Sequence, residues 1–177
     1  MKKTMMMALA VLMTAMTMSA QESEKKESWE DPIVLDLEVS LGTRYKGLQQ
    51  ANLSIDLGYT IAGRVYPYFR SESSLMLYKH DGMKTYGNTW NIGGGIGVIL
   101  DKKNVKDEKG NDETRTWEFT ANVTSSVSGR RDYRNNSYYF GFRRRHDNVY
   151  LGLGYRFMRS RECHIHDYSA FVVSLGF

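Results

Sequence analysis

The chain has 177 residues, a length for one domain, with 41% apolar and 12% aromatic side chains and a formal charge of +4. Mean hydropathy below zero excludes a polytopic helical membrane protein, and the small, dispersed excess of Lys and Arg leaves no footprint for nucleic acid. The one cysteine, Cys163, excludes an internal disulfide framework, so stability must come from backbone pairing and burial.

Residues 1–20, "MKKTMMMALAVLMTAMTMSA", combine a basic start (Lys2, Lys3), an apolar run over 5–13 and small residues approaching Ala20. That is the anatomy of a secretory signal peptide, too short and wrongly flanked for a membrane span. Cleavage is expected before Gln21, and with no Cys beside Ala20 an acylated lipoprotein is not. Residues 21–32, "QESEKKESWEDP", are nearly devoid of apolar side chains and read as a disordered periplasmic tether. The folded domain is expected over 33–177.

From Ile33 the pattern changes to a period of two. Ile33, Leu35, Leu37, Val39 and Leu41 share one face, with Asp36, Glu38 and Ser40 on the other. Leu53, Ile55, Leu57, Tyr59 and Ile61 repeat this against Asn52, Ser54 and Asp56. Trp90, Ile92, Ile96, Val98 and Leu100 oppose Asn91 and three glycines. Trp117, Phe119, Ala121, Val123 and Val127 oppose Glu118, Thr120, Asn122 and Thr124. Val149, Leu151, Leu153, Tyr155 and Phe157 oppose Gly152, Gly154 and Arg156. Two weaker segments cover 69–79 and 137–145, and a last one ends the chain. The pattern predicts about eight strands joined as hairpins, an antiparallel meander with no helix outside the signal.

Such strands suit a soluble barrel with apolar residues inside, or a transmembrane barrel with apolar residues facing lipid. Three features favour the second. Several strands reach about ten residues, the length a tilted strand needs to cross hydrocarbon. Aromatics stand at stripe ends: Tyr45, Tyr59, Trp90, Trp117, Tyr155, Phe157 and Phe177. The face opposite the stripe carries both signs of charge. Asp36, Glu38, Asp56, Glu72 and Glu118 can be offset there by Arg70, Arg143 and Arg156, with Arg44 and Arg64 as further basic candidates. Inside a narrow barrel these would form a compensating network.

The terminal stripe Phe171, Val173, Leu175 and Phe177 resembles the closing strand of bacterial outer-membrane β-barrel proteins. Over 33–177 the chain is most similar to the small eight-stranded OmpX-like barrels and to the outer-membrane β-barrel domain proteins common in Bacteroidota. The resemblance implies an eight-stranded up-and-down transmembrane barrel in the cell outer membrane. It also implies that the four stripe residues are read as an assembly signal by the barrel-assembly machinery. An even strand number puts both termini in the periplasm, outer loops at 46–50, 80–88, 129–136 and 158–167, and inner turns at 62–67, 101–113 and 145–148. The 13-residue stretch 101–113 is long for a periplasmic turn. No peptidoglycan-binding module is expected after the last strand.

The loops hold what chemistry the sequence offers. Cys163, His164, His166 and Asp167 are metal-capable, and His164 with His166 would point the same way as a two-ligand clamp. The paired clusters that mark zinc sites are missing, so no metal is assigned. Arg130, Arg131, Arg134, Arg159 and Arg161 form an outer-loop basic patch whose guanidinium forks suit the phosphates of lipopolysaccharide. His166, Asp167 and Ser169 are close in sequence. However, the motif of the lipid A deacylase barrels, a His two places before a Ser with a Glu following, is absent: Tyr168 interrupts the spacing and no Glu follows Glu162. "NIGGGIGV" is not a phosphate loop, because a strand continues through it. Its inward glycines are read as making room for large neighbours such as the arginines. The expectation is therefore a non-enzymatic outer-membrane barrel without cofactor, its lumen filled by side chains and its surface ligand unspecified. The competing expectation is a soluble secreted barrel holding an apolar ligand.

Overall fold

The computed structural model describes residues 33–61, 64–80, 82–106, 112–161 and 165–177. The expected signal peptide and tether lie outside the described residues, as do Glu162, Cys163 and His164. Eight strands follow in order: β1 Ile33–Gly42, β2 Leu48–Tyr59, β3 Val65–His80, β4 Met83–Lys106, β5 Asp112–Gly129, β6 Asn135–His146, β7 Val149–Ser160 and β8 Tyr168–Gly176. Each pairs antiparallel with the next, and β8 pairs with β1, so the sheet closes into an up-and-down barrel. The β1–β8 seam runs from Glu38↔Gly176 to Gly42↔Val172. It is extended by reciprocal backbone bonds between Leu37 and Phe177, 2.8 and 3.0 Å long. Closure leaves no strand edge along the barrel wall.

The period of two is realised with an unusual sense. Arg70 is 0% exposed, Glu72 and Asp56 1% each, whereas Leu35 is 67%, Leu153 62% and Phe171 70% exposed. Apart from an apolar layer near one end, polar and charged residues therefore point inward, and the large apolar ones on the opposite face point outward around the ring. The weakly patterned segments are full strands, because their inward positions (Arg70, Glu72, Ser74; Tyr139, Arg143) alternate as strictly as the others.

One end of the barrel, the loop end, carries the β1–β2, β3–β4, β5–β6 and β7–β8 connections. A single 3₁₀ turn, Arg131–Tyr133, lies there. The other, the terminal end, carries the remaining connections, the start of β1 and the end of β8. Here the described parts of the stretch 101–113 are strand, not loop. β4 continues to Lys106 and β5 starts at Asp112, pairing from Asp101↔Trp117 to Lys106↔Asp112 beyond the last rung shared with β3, Val65↔Val98. The result is a two-stranded ribbon standing off the barrel. Register shifts between Trp90 and Asn91 and between Ile99 and Asp101 bracket the barrel part of this hairpin, and the second sets off the ribbon.

Most inward glycines make room for tyrosines, while Gly152 faces Ser174 and the Arg143 stem, and Gly93 faces the β5 backbone. A Cβ on Gly97 would stand 2.1 Å from the Tyr66 ring, one on Gly95 2.6 Å from Tyr68, and one on Gly154 2.5 Å from Tyr139. Each ring lies flat over a neighbouring strand where only glycine leaves space. The outward aromatics also differ in one place from the expected end girdles. Tyr155 sits mid-barrel between Phe140 and Phe171, at centroid distances of 5.8 and 5.5 Å.

Candidate functional site: the charged lumen and the basic loop end

Reading β2 inward positions from the loop end gives Leu48, Gln50, Asn52, Ser54 and Asp56. β3 gives Met76, Ser74, Glu72, Arg70, Tyr68 and Tyr66 in the same direction. Alternation thus stacks the lumen in layers: apolar at the loop end, then amides and hydroxyls, then charge. The apolar layer joins Leu48, Met76, Met158, Tyr168, Ile165 and Tyr133. The middle layer is a hydrogen-bonded set in which Asn91 donates to Ser74 at 2.9 Å and Ser126 donates to Asn91 at 2.7 Å.

The charged layer links strands far apart in sequence. Arg70 meets Asp56 through two bonds of 2.6 and 2.9 Å and Glu38 at 2.8 Å. Arg143 meets Glu38 at 2.9 Å, Asp36 at 3.3 Å and Asp56 at 3.4 Å. Arg156 grips both oxygens of Glu72 at 2.9 Å each, the bidentate geometry a guanidinium fork favours. All eight residues of the predicted network lie in the lumen, and each makes an ion pair with another member except Glu118. Glu118 pairs instead with Arg145, which bridges it at 2.8 Å to Asp36 at 2.9 and 3.0 Å.

Arg145 was missing from the expected network although it lies two residues from Arg143 on the same face. The alternation that turned Arg143 inward applies to it equally. Tyrosines were missed as well. Tyr66 donates to Glu118 at 2.6 Å and Tyr150 to Glu38 at 3.1 Å, and the Arg143 guanidinium lies 4.5 Å from the Tyr150 ring centre. Arg44 and Arg64 are exposed and take no part. Beyond the charged layer the terminal end opens as a mouth of about 290 Å³ lined by Asp36, Tyr66, Thr116, Glu118 and Arg145.

At the base of the ribbon, Glu113, His146 and Asp147 bring ligand-capable atoms within 4.8 Å of one another. Their capacity is largely taken: Glu113 meets His146 at 2.6 Å and Arg115 at 3.2 Å, and Asp147 accepts from the Thr114 N–H at 2.9 Å. The hydrogen bond with His146 holds the Glu113 carboxyl below the ordinary carboxylate range. His166, one of the two weak metal candidates, has its ring nitrogens 2.8 Å from the Lys46 carbonyl oxygen and 3.0 Å from that of Asp167. It stands edge-on to Tyr45 and Tyr78. A ring nitrogen that donates to one of these carbonyls has no lone pair to offer a metal.

The five arginines of the basic patch are not equivalent. Arg130 meets Asp132 at 3.4 Å and the Tyr86 carbonyl at 3.1 Å, and Arg161 reaches the Ser126 carbonyl at 3.1 Å. Arg131 caps the 3₁₀ turn by accepting at its carbonyl from the Arg134 N–H. The side chains of Arg134 and Arg159 meet no carboxylate among the described residues. Comparison with known proteins finds no protein family and no curated protein that matches this chain.

Proposed function

We propose that this chain is an integral outer-membrane β-barrel of the small eight-stranded, OmpX-like kind, closed at its loop end and non-enzymatic. Its role is structural, or one of surface interaction through the connections at that end, with lipopolysaccharide as the lipid its basic rim meets. The observation that carries the reading is the inverted burial: ion pairs inside, Leu, Val, Ile and Phe outside. In water each exposed large apolar side chain forgoes roughly 1.5–3 kcal/mol of burial free energy. A contiguous belt of them is tolerated only where something apolar covers it. Hydrocarbon does so, and a closed sheet meets its demand that every backbone N–H and C=O be paired internally.

Two aromatic levels support the same reading. Tyr59 and Trp117 flank the belt at the terminal end, Tyr86 and Trp90 at the loop end. Partition settles the alternatives: the purified full chain should float with phospholipid vesicles and migrate faster unheated than boiled on SDS gels. Stable monodispersity in detergent-free buffer would instead favour the soluble, ligand-holding barrel. Accumulation of lipid A products lacking an acyl chain, in cells expressing the chain, would move the reading to an enzyme.

A further inference from the structure

The two ends of the barrel differ in charge. Residues 43–47, 79–84, 129–134 and 159–167 at the loop end carry nine Lys or Arg against four Asp or Glu. Residues 60–64, 101–115 and 146–148 at the terminal end carry six against six. Within this excess, one locus brings two arginines together that form no ion pair with an acid among the described residues. Asn136 pairs with Arg159 across β6 and β7, and the Arg161 N–H donates to the Arg134 carbonyl at 2.9 Å, so the ladder continues one step past β6. Arg134 and Arg159 are therefore diagonal cross-strand neighbours on the outward side, a relation that sets such residues about 7–8 Å apart. Long side chains close that gap easily. The Nε of Arg134 is shielded from solvent and has no hydrogen-bond partner. Asp167, just before β8, already accepts from the Ser160 N–H at 2.9 Å.

Two like charges held this close repel unless an anion lies between them. The locus spans the first and second outward rungs beyond Tyr138 and Phe157, whose rings pair at 6.3 Å and end the apolar belt on these strands. An anion there is held at the level of a lipid headgroup. Guanidinium forks match phosphate oxygens in both geometry and charge.

We propose that Arg134 and Arg159 form a binding site for a phosphate group of a lipid in the leaflet surrounding the loop end. This rests on the bilayer-spanning reading above and deepens it by naming the lipid's chemistry and the residues that select it. Arg130 and Arg161, held by Asp132 and by the Ser126 carbonyl, frame the site, and Arg134 and Arg159 supply its free donors.

The test uses the full chain purified in neutral detergent, with phosphorylated lipid A, enzymatically dephosphorylated lipid A and inorganic phosphate as probes, and native mass spectrometry as the readout. Wild type should retain phosphorylated lipid A in preference to the dephosphorylated form, and Arg134→Gln with Arg159→Gln should lower that retention about tenfold. Arg44→Gln with Lys46→Gln removes the same charge from the same end and should leave it near wild type. Equal loss in both double variants would show diffuse attraction and overturn the site, as would unchanged retention in the Arg134/Arg159 variant. Displacement by inorganic phosphate at equal concentration would overturn the assignment to a lipid. Vesicle flotation and the heat-dependent gel shift, read on the same samples, report insertion and folding of each variant. A wild type that fails to float would defeat the bilayer-spanning reading, whereas one that floats without headgroup preference would defeat only this site.

Discussion

Arg143 joins three carboxylates, Asp36, Glu38 and Asp56, and lies against the Tyr150 ring. Removing it leaves three buried acids close together, with only Arg70 and Arg145 to offset them. Arg143→Leu should therefore cost about 3–5 kcal/mol, the range for breaking a buried pair on one side. Urea unfolding of the barrel refolded into vesicles measures it, and a loss under 1 kcal/mol would mean that the lumen is wetter than its burial indicates. The glycine–tyrosine contacts are equally local. Gly97→Ala would drive a methyl into the Tyr66 ring, which Glu118 holds from the other side. It should cost about 1–3 kcal/mol, the usual range for overpacking. Gly94 points outward, and a Cβ there meets only the Tyr68 carbonyl oxygen, at 3.1 Å. Gly94→Ala should accordingly be the milder change in the same titration.

At the scale of the strand, the sense of the alternation makes a sharp demand. Leu153 lies mid-way along β7, 62% exposed, opposite Phe142 and Val173. In a bilayer, Leu153→Arg should cost about 2–4 kcal/mol, whereas on a water-facing wall the same change would be nearly neutral. The strands themselves were legible because the period of two needs no tertiary information: 33–41, 117–123 and 149–157 alternate without a break. Arg145 was legible by the same rule. The tyrosine seats were not, since a glycine's partner is set by which residue stands diagonally across the next strand, and only register reveals that. The ribbon was hidden by its composition. Lys102, Lys103, Asn104 and Lys106 read as loop because nothing is buried on either face, yet the backbone ladder runs on without side-chain reward. Beyond Arg115 the described part of the ribbon is tied to the barrel at its base, through Thr114 with Asp147 and Glu113 with His146. Replacing residues 103–113 by a two-residue turn should therefore leave the heat-dependent gel shift of the barrel unchanged; loss of that shift would give the ribbon a part in folding.

For the whole molecule, the layers of the lumen predict that little passes through it. Eight strands enclose a space that side chains just fill. Here ion pairs fill the charged layer, and Leu48, Met76, Met158 and Tyr168 close the loop end. Planar-bilayer recordings of the purified chain should show no steady open level in most insertions, and sustained currents would move the function toward transport. The claim beneath all of this is that hydrocarbon covers the outward face. Spin labels placed singly at 149 to 157 along β7, with Cys163 replaced by Ser, test it directly in refolded vesicles. Collision with oxygen, which dissolves in lipid, should be high at 151, 153 and 155 and low at 152, 154 and 156, while a water-soluble nickel reagent stays excluded from the first set. Nickel accessibility exceeding that of oxygen at 151, 153 and 155 would put water against the apolar face and contradict the account.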